Sequence, residues 1–192
     1  MKAVLFDLDG TLTDTFELWY HSVASLVKKH TEKKLSKEEY EQKYWGADSR
    51  TKIRKLITEE PERVEKLYAE LQKLLLDNIK LVKTFPGVNE TLKALSENYR
   101  LAVISNSSMK FLEAQLKQTG TMKYFSAKIA DAEPKPSPDG ILKACRELGV
   151  QVSQAVFVGD SQYDVGAGKN AGIRTIIIGR DIDIIASLTE AI

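Results

Sequence analysis

Two carboxylates at the end of a short apolar run are the first residues of the chain whose spacing can do chemistry. Val4-Leu5-Phe6-Asp7-Leu8-Asp9-Gly10-Thr11 places Asp7 and Asp9 two apart. In an extended segment such side chains point to the same side, so the two acids converge just past its C-terminal end. Gly10 permits a sharp turn there, and Thr11 adds a hydroxyl and a backbone N–H. Unit charges ~4 Å apart repel by ~1 kcal/mol in water and ~4 kcal/mol at an effective dielectric of about 20. Such a pair either binds a cation or keeps one carboxyl protonated, although D-x-D alone also describes a solvated acidic turn.

Three further polar groups follow apolar runs: Ser105-Asn106 after Leu101 to Ile104, Lys135 in a proline-rich loop, and Asp160 with Asp164 after Ala155 to Val158. Each alone has a plainer reading: Ser105 and Asp160 as helix caps, Lys135 as a loop charge. Their recurrence directly after apolar runs argues for one shared site. Several carboxylates call for a hard divalent cation, and all-oxygen ligands favour magnesium. Lys135, the Ser105 hydroxyl and N–H groups at helix N-termini suit a phosphate. A carboxylate can attack phosphorus to give an aspartyl-phosphate, while a neighbouring acid protonates the leaving oxygen and later activates water.

For these groups to meet, the runs before them must be neighbouring parallel strands, because open parallel sheets bind ligands beyond the carboxyl ends of their strands. Ala3 to Phe6 has the continuous apolar pattern of a strand buried on both faces. From Phe85 onward, strands and helices alternate. Helices are predicted near 88–96, 110–119 and 139–148, strands near 101–104, 128–130, 155–158 and 175–178, with a Gly- and Ala-rich helix before the last. A final short strand at 182–185 and a terminal helix complete the reading. Between Thr15 and about Lys80 no strand is legible. Phe16, Trp19, Val23, Leu26 and Val27 recur at helical spacing, Ser36 starts a second helix, and Pro61 opens one reaching about Leu76. The expectation is an α/β fold: a Rossmann-like parallel sheet with helices on both faces, built from residues 1–14 and 81–192, and an inserted all-helical cap at 15–80.

Composition narrows the function class. With 192 residues, 43% hydrophobic, 29% charged and a net charge of +1, no strong field favours nucleic acid or a membrane surface. Cys145 is the only cysteine, so an internal disulfide and a four-cysteine zinc site are excluded, and His21 and His30 are too few for a histidine-rich metal site. No run approaches the ~20 apolar residues of a membrane span, and the apolar run after Lys2 is too short for a signal peptide. The expected location is the cytoplasm, as a monomer or homodimer.

Taken together, the motifs resemble the haloacid dehalogenase superfamily, specifically its phosphatase branch with a helical cap. Asp7-Leu8-Asp9-Gly10-Thr11-Leu12 is similar to the family's first motif, Ser105-Asn106 to the second, Lys135-Pro136 to the third and Gly159-Asp160-Ser161-Gln162-Tyr163-Asp164 to the fourth. Phe85-Pro86-Gly87-Val88 resembles the segment that returns from cap to core. The resemblance covers the whole chain. It implies Asp7 as nucleophile and Asp9 as general acid and base, with Asp7, the Asp9 carbonyl, Asp160 and Asp164 around magnesium. Thr11, Ser105, Asn106 and Lys135 are then the phosphate-binding set, and Lys135 also neutralises the nucleophile. The acid at Asp9 argues against dehalogenase chemistry. The implied activity is hydrolysis of a small phosphorylated metabolite, with phosphoglycolate the nearest named substrate. Tyr20, His21, Trp45 and Arg50 are the cap positions expected to face the substrate, Arg50 having the alternative of a solvated helix charge. Trp19 is expected in the cap core. Two alternatives stand beside this reading: a sugar phosphomutase of the same family, and a phospho-accepting receiver-type signalling domain. Receivers are shorter, lack the helical insertion and place their acids before the lysine.

Overall fold

The structure, a computed structural model, describes residues 1–178. In chain order it contains strand β1 (Ala3–Asp7), a two-residue strand β2 (Thr13–Asp14), and helices α1 (Phe16–His30), α2 (Lys37–Lys43), α3 (Ser49–Leu56) and α4 (Pro61–Asp77). Strand β3 (Lys83–Thr84), helix α5 (Val88–Ser96), strand β4 (Arg100–Ile104), helix α6 (Met109–Thr119) and strand β5 (Ala127–Ile129) follow. Helix α7 (Asp139–Leu148), strand β6 (Ala155–Gly159), helix α8 (Gln162–Ala171) and strand β7 (Arg174–Ile177) complete the described chain. The strand and helix expected beyond residue 181 lie outside the described residues.

The main sheet runs β5-β4-β1-β6-β7 and every pairing in it is parallel. β1 is central and wholly buried, which is why it reads as an unbroken apolar run rather than an alternation. Its side chains still alternate by face. Val4 and Phe6 join the cluster under α5 and α6, with Leu92, Leu112 and Leu116. Ala3 and Leu5 join the cluster under α7 and α8, with Ile141, Cys145 and Ala167. Because Asp7 pairs with Ile104 and Phe6 with Val158, the strands end level, and the polar residues after them share one edge.

Helices α1 to α4 pack around their own apolar cluster, including Phe16, Trp19, Tyr40, Ile53, Leu67 and Leu71. Their starts are set locally. The Ser36 side chain accepts from the Glu39 N–H at 3.1 Å and Asp48 accepts from the Thr51 N–H at 3.0 Å, each satisfying a donor the helix cannot. A feature not expected from sequence is the antiparallel ribbon of β2 with β3, pairing Thr13 with Thr84 and Asp14 with Lys83. It brings the entry and exit of the helical segment side by side. Two-residue strands are too short to leave a periodic signal.

The α8–β7 contact depends on a missing side chain. A Cβ at Gly168 would lie 1.8 Å from Thr175 Oγ1. Gly168→Ala must therefore displace the helix from the sheet, and the expected loss is ~1–3 kcal/mol of unfolding free energy by urea titration, despite alanine's better helix propensity of ~1 kcal/mol. A stability equal to or above wild type would show that the helix has room to shift.

Candidate active site

The four strand-end groups do meet. Asp7, the last residue of β1, is buried and accepts a hydrogen bond through Oδ1 from Lys135 Nζ. The same ammonium donates to Asp164 Oδ1 at 2.7 Å. Carboxylate oxygens of Asp7, Asp160 and Asp164 lie within 4.8 Å of one another. Asp164 owes its position to helix capping: Ser161 starts α8, and Asp164 Oδ2 accepts from the Ser161 N–H at 3.0 Å and from its hydroxyl at 2.6 Å. The capping box thus aims the other oxygen of Asp164 at Lys135. Asn106 shapes the lysine's loop, accepting from the Lys135 N–H at 2.8 Å and donating to the Lys135 carbonyl at 3.3 Å.

Burial pushes the Asp7 carboxyl well above its usual range; Lys135 pulls it back, and the charges of Asp164 and Asp160 push it further up. Burial works against the Lys135 ammonium, but Asp164 and Asp7 outweigh it and raise its pKa. The repulsion that sequence reading assigned to Asp7 against Asp9 therefore falls instead among Asp7, Asp160 and Asp164, where Lys135 answers it.

Asp9 has a different environment. Its Oδ1 accepts from Thr15 Oγ1 at 2.8 Å, Trp19 Nε1 at 2.9 Å and Gln115 Nε2 at 3.1 Å, and its Oδ2 from Ser105 Oγ at 3.1 Å. Gln115 is fully buried and its amide oxygen accepts from Thr13 Oγ1 at 2.9 Å, which turns the amide nitrogen toward Asp9. The Asp9 carboxylate is not part of the three-acid cluster.

The helical segment closes over this edge. Trp45 Nε1 donates to Asp160 Oδ2 at 2.8 Å, and Asn106 Nδ2 donates to the Gly46 carbonyl at 3.0 Å. Close approach is possible because residue 10 is glycine: at its φ of +92° a Cβ would sit 2.3 Å from Asp160 Oδ2 and 2.8 Å from the Trp45 ring. The cavity there is about 30 Å³ and is lined by Asp7, Asp9, Trp19, Trp45, Lys52 and Lys135 among others, room for no more than a few waters. A larger cavity of about 500 Å³ shares its Ser105–Ser107 wall and carries Arg50, Arg54 and Tyr68.

Several expectations need correction. Thr11 does not line the small cavity; its side chain is fully buried and its hydroxyl has no hydrogen-bond partner among the described residues. Tyr20 donates to the Leu35 carbonyl at 3.3 Å and packs on Tyr40, and exposed His21 lies 3.5 Å from Glu17. Neither lines the cavity: at about 100° per residue, the α1 face that presents Trp19 turns Tyr20 and His21 away. Trp19 is both core and site, burying its ring while its N–H reaches Asp9. Arg50 is not a free receptor: it is a partly exposed helix charge paired on the surface, its side chain 40% exposed. It donates to both oxygens of Glu65 at 2.7 and 2.9 Å and stacks 3.8 Å over the Tyr68 ring. Lys52 and Gln115 were missed. Both sit on apolar stripes, Lys52 four before Leu56 and Gln115 beside Leu112 and Leu116, and a polar residue in such a register is the signal that marks them.

Comparison with known proteins agrees with this geometry. The model of the family described as haloacid dehalogenase-like hydrolase matches residues 4–178. The chain is 33% identical to the pyrophosphatase PpaX of Halalkalibacterium halodurans, over 93% of this chain and 84% of that protein. It is 34% identical to the phosphoglycolate phosphatase of Aquifex aeolicus, over 92% and 84% respectively. The crystal structure of CbbY from Rhodobacter sphaeroides in complex with phosphate superposes with a TM-score of 0.82 at 25% identity, covering 93% of this chain and 86% of that one.

Lys52 supplies a pH prediction. Burial lowers its pKa from the ordinary 10.5 to about 8, against the opposing pull of Asp9 and Asp48. The folded state then holds fewer protons than the unfolded one between those values, so stability rises with pH across that window. Below about pH 8 the full cost, roughly 3 kcal/mol, is present. Lys52→Met should flatten this rise when unfolding free energies are measured from pH 7 to 10.5; an identical slope in variant and wild type would place the ammonium in solvent.

Proposed function

The chain belongs to the haloacid dehalogenase-like hydrolase family, and from that premise we propose that it is a magnesium-dependent phosphatase acting on a small phosphorylated metabolite through an aspartyl-phosphate. The observation that carries this reading is the Lys135 ammonium shared between Asp7 and Asp164, with Asp160 beside them, at the carboxyl ends of parallel strands. A receiver-type domain is not supported by the family match or by the helical segment.

The donor set fits a hard cation. Three carboxylates converge and none is replaced by nitrogen or sulfur, the ligand chemistry that favours magnesium. Asp7 and Asp160 would hold the ion together with the Asp9 carbonyl. Both oxygens of Asp164 are already engaged, by Lys135 and Ser161, so its part is to hold the lysine and add charge behind it. Bound there, the ion would offset the repulsion among the acids and the charge of the incoming phosphoryl oxygens.

The remaining work is done by the chain. Asp7 attacks phosphorus, with Lys135 steadying its charge and that of the phosphoryl group. Ser105 and Asn106 hold the phosphoryl oxygens, and Asn106 must release Gly46 or share its amide to do so. Asp9 protonates the leaving oxygen from Oδ2, because Oδ1 already accepts three hydrogen bonds, and later takes a proton from the attacking water. Residues 15–80 act as the cap. The small cavity and the contacts of Trp45 and Gly46 with the core support a closed position for it, one that would keep bulk water from the aspartyl-phosphate. Phosphoglycolate and pyrophosphate, the substrates in the relatives' names, share a phosphoryl group joined to a short anionic remainder, and that is the substrate class expected here.

Activity should vanish in excess chelator and return with magnesium in an inorganic-phosphate release screen across phosphorylated metabolites. Full turnover in chelator, with no metal retained by elemental analysis, would exclude the proposed metal role. Asp7→Asn should remove nearly all activity while leaving the fold at least as stable as wild type, because a buried carboxylate held at raised pKa is a cost that the amide lacks. Asp9→Asn should slow hydrolysis of alkyl phosphates by ~10²–10⁴ and of p-nitrophenyl phosphate much less, since that leaving group needs little protonation. Equal losses on both would remove Asp9 as the acid.

A further inference from the structure

The small cavity contains one charged group that the proposed chemistry does not use. Lys52 of α3 is 3% exposed and lines the same space as Asp7, Asp9 and Ser105. Its Nζ lies 4.4 Å from the centroid of the Trp19 ring and 5.6 Å from that of Tyr40. It makes no hydrogen bond or ion pair with any described residue. The other cation lining that cavity, Lys135, is committed to Asp7 and Asp164. An ammonium taken out of water without a hydrogen-bonded counter-ion is costly, and two ring faces, with the charges of Asp9 and Asp48 farther off, compensate it only in part. A fold that keeps such a group at the wall of a polar cavity leaves three donors unfilled for something that enters.

Position says what that is. The phosphoryl group belongs at the strand ends, beside Asp7, Lys135 and Ser105, and Asp9 reaches the bridging oxygen. The rest of the substrate then extends away from the sheet toward the helical wall, where Lys52 stands. Asp9 and Lys52 line the same cavity, so the bridging oxygen and the ammonium face one space. Resting on the phosphatase reading above, we propose that Lys52 is the specificity-determining residue of this site and selects substrates bearing a second anionic group one or two bonds beyond the bridging oxygen. That group is the carboxylate of a short phosphorylated acid or the second phosphate of pyrophosphate; both present the same chemistry to an ammonium. Lys52 replaces Arg50 in this role because Glu65 already neutralises the arginine, and because Lys52, unlike Arg50, lines the cavity that holds Asp7.

The test is a ratio. With magnesium, kcat/KM is measured for wild type and Lys52→Met on two pairs: 2-phosphoglycolate against ethyl phosphate, and pyrophosphate against methyl phosphate. Wild type should prefer the member with the anionic remainder in at least one pair, and the pair showing the preference identifies carboxylate or phosphate as the preferred group. In Lys52→Met that preference should fall by about tenfold to 150-fold, the loss of one charge-assisted hydrogen bond, beyond any loss common to both members. Removing an unpaired buried charge should leave the variant's urea midpoint at or above that of wild type, so misfolding cannot mimic the result. A wild type without preference in either pair, or a variant in which both members fall in step, overturns the assignment of Lys52 while leaving the phosphatase reading intact. No phosphate release from any ester by wild type overturns the phosphatase reading, and this proposal with it.

Discussion

One ammonium, Lys135 Nζ, ties together groups that arrive from three separate strand ends. Asp7 comes from the end of β1, Asp164 from the first turn of the helix after β6, and the lysine itself from the loop after β5. Each of these charges alone would be expensive to bury. Together they are satisfied, and the remaining imbalance is negative, concentrated at Asp7 and Asp160. This is an arrangement that invites a cation and then an anion, in that order. It also explains why the fold needs level strand ends. A shift of one residue in β1 would turn Asp7 to the opposite face of the sheet and leave Lys135 facing Asp164 alone.

The helical segment meets the core through the same acids as well as through packing on Phe111 of α6. Trp19 donates to Asp9, Trp45 donates to Asp160, and Asn106 holds the Gly46 carbonyl. Part of what holds the segment down is thus contact with proposed catalytic groups. The arrangement of the acids and the position of the helices are coupled in this way, and the β2–β3 ribbon keeps the two crossings of the chain together at the base. Aromatic rings fill the space between. Phe16, Tyr40 and Trp45 pack edge to face or tilted, burying area while leaving each indole N–H free to point at a carboxylate.

Cations illustrate how packing rather than residue type assigns a role. Arg50 has the stronger donor set and the more suggestive place beside Gly46, yet Glu65 one helix away accepts from its Nε and Nη2. Lys52 has no carboxylate hydrogen-bonded to it and is kept from water by Trp19 and Tyr40. A residue's capacity to meet a substrate depends on what its neighbours have left unfilled, and only the packed structure shows that.

Much of the core was legible in the sequence because its chemistry is local to strand ends. An apolar run followed at once by Asp7, Ser105 or Asp160 places that side chain at a sheet edge whatever else the chain does, and a parallel sheet makes those edges coincide. Helix starts at Ser36 and Pro61 and the α7 boundaries were legible for the same reason: caps and turns act within a few residues. What crosses between the helical segment and the sheet was not. Tyr20 and His21 were expected at the site and point elsewhere, while Trp19, Lys52 and Gln115 reach it. Their assignment depends on the rotation of α1, α3 and α6 about their axes and on how closely the segment approaches the core. Those quantities are set by the joint packing of two apolar clusters, with glycine at position 10 allowing the approach, and no window of neighbouring residues contains them.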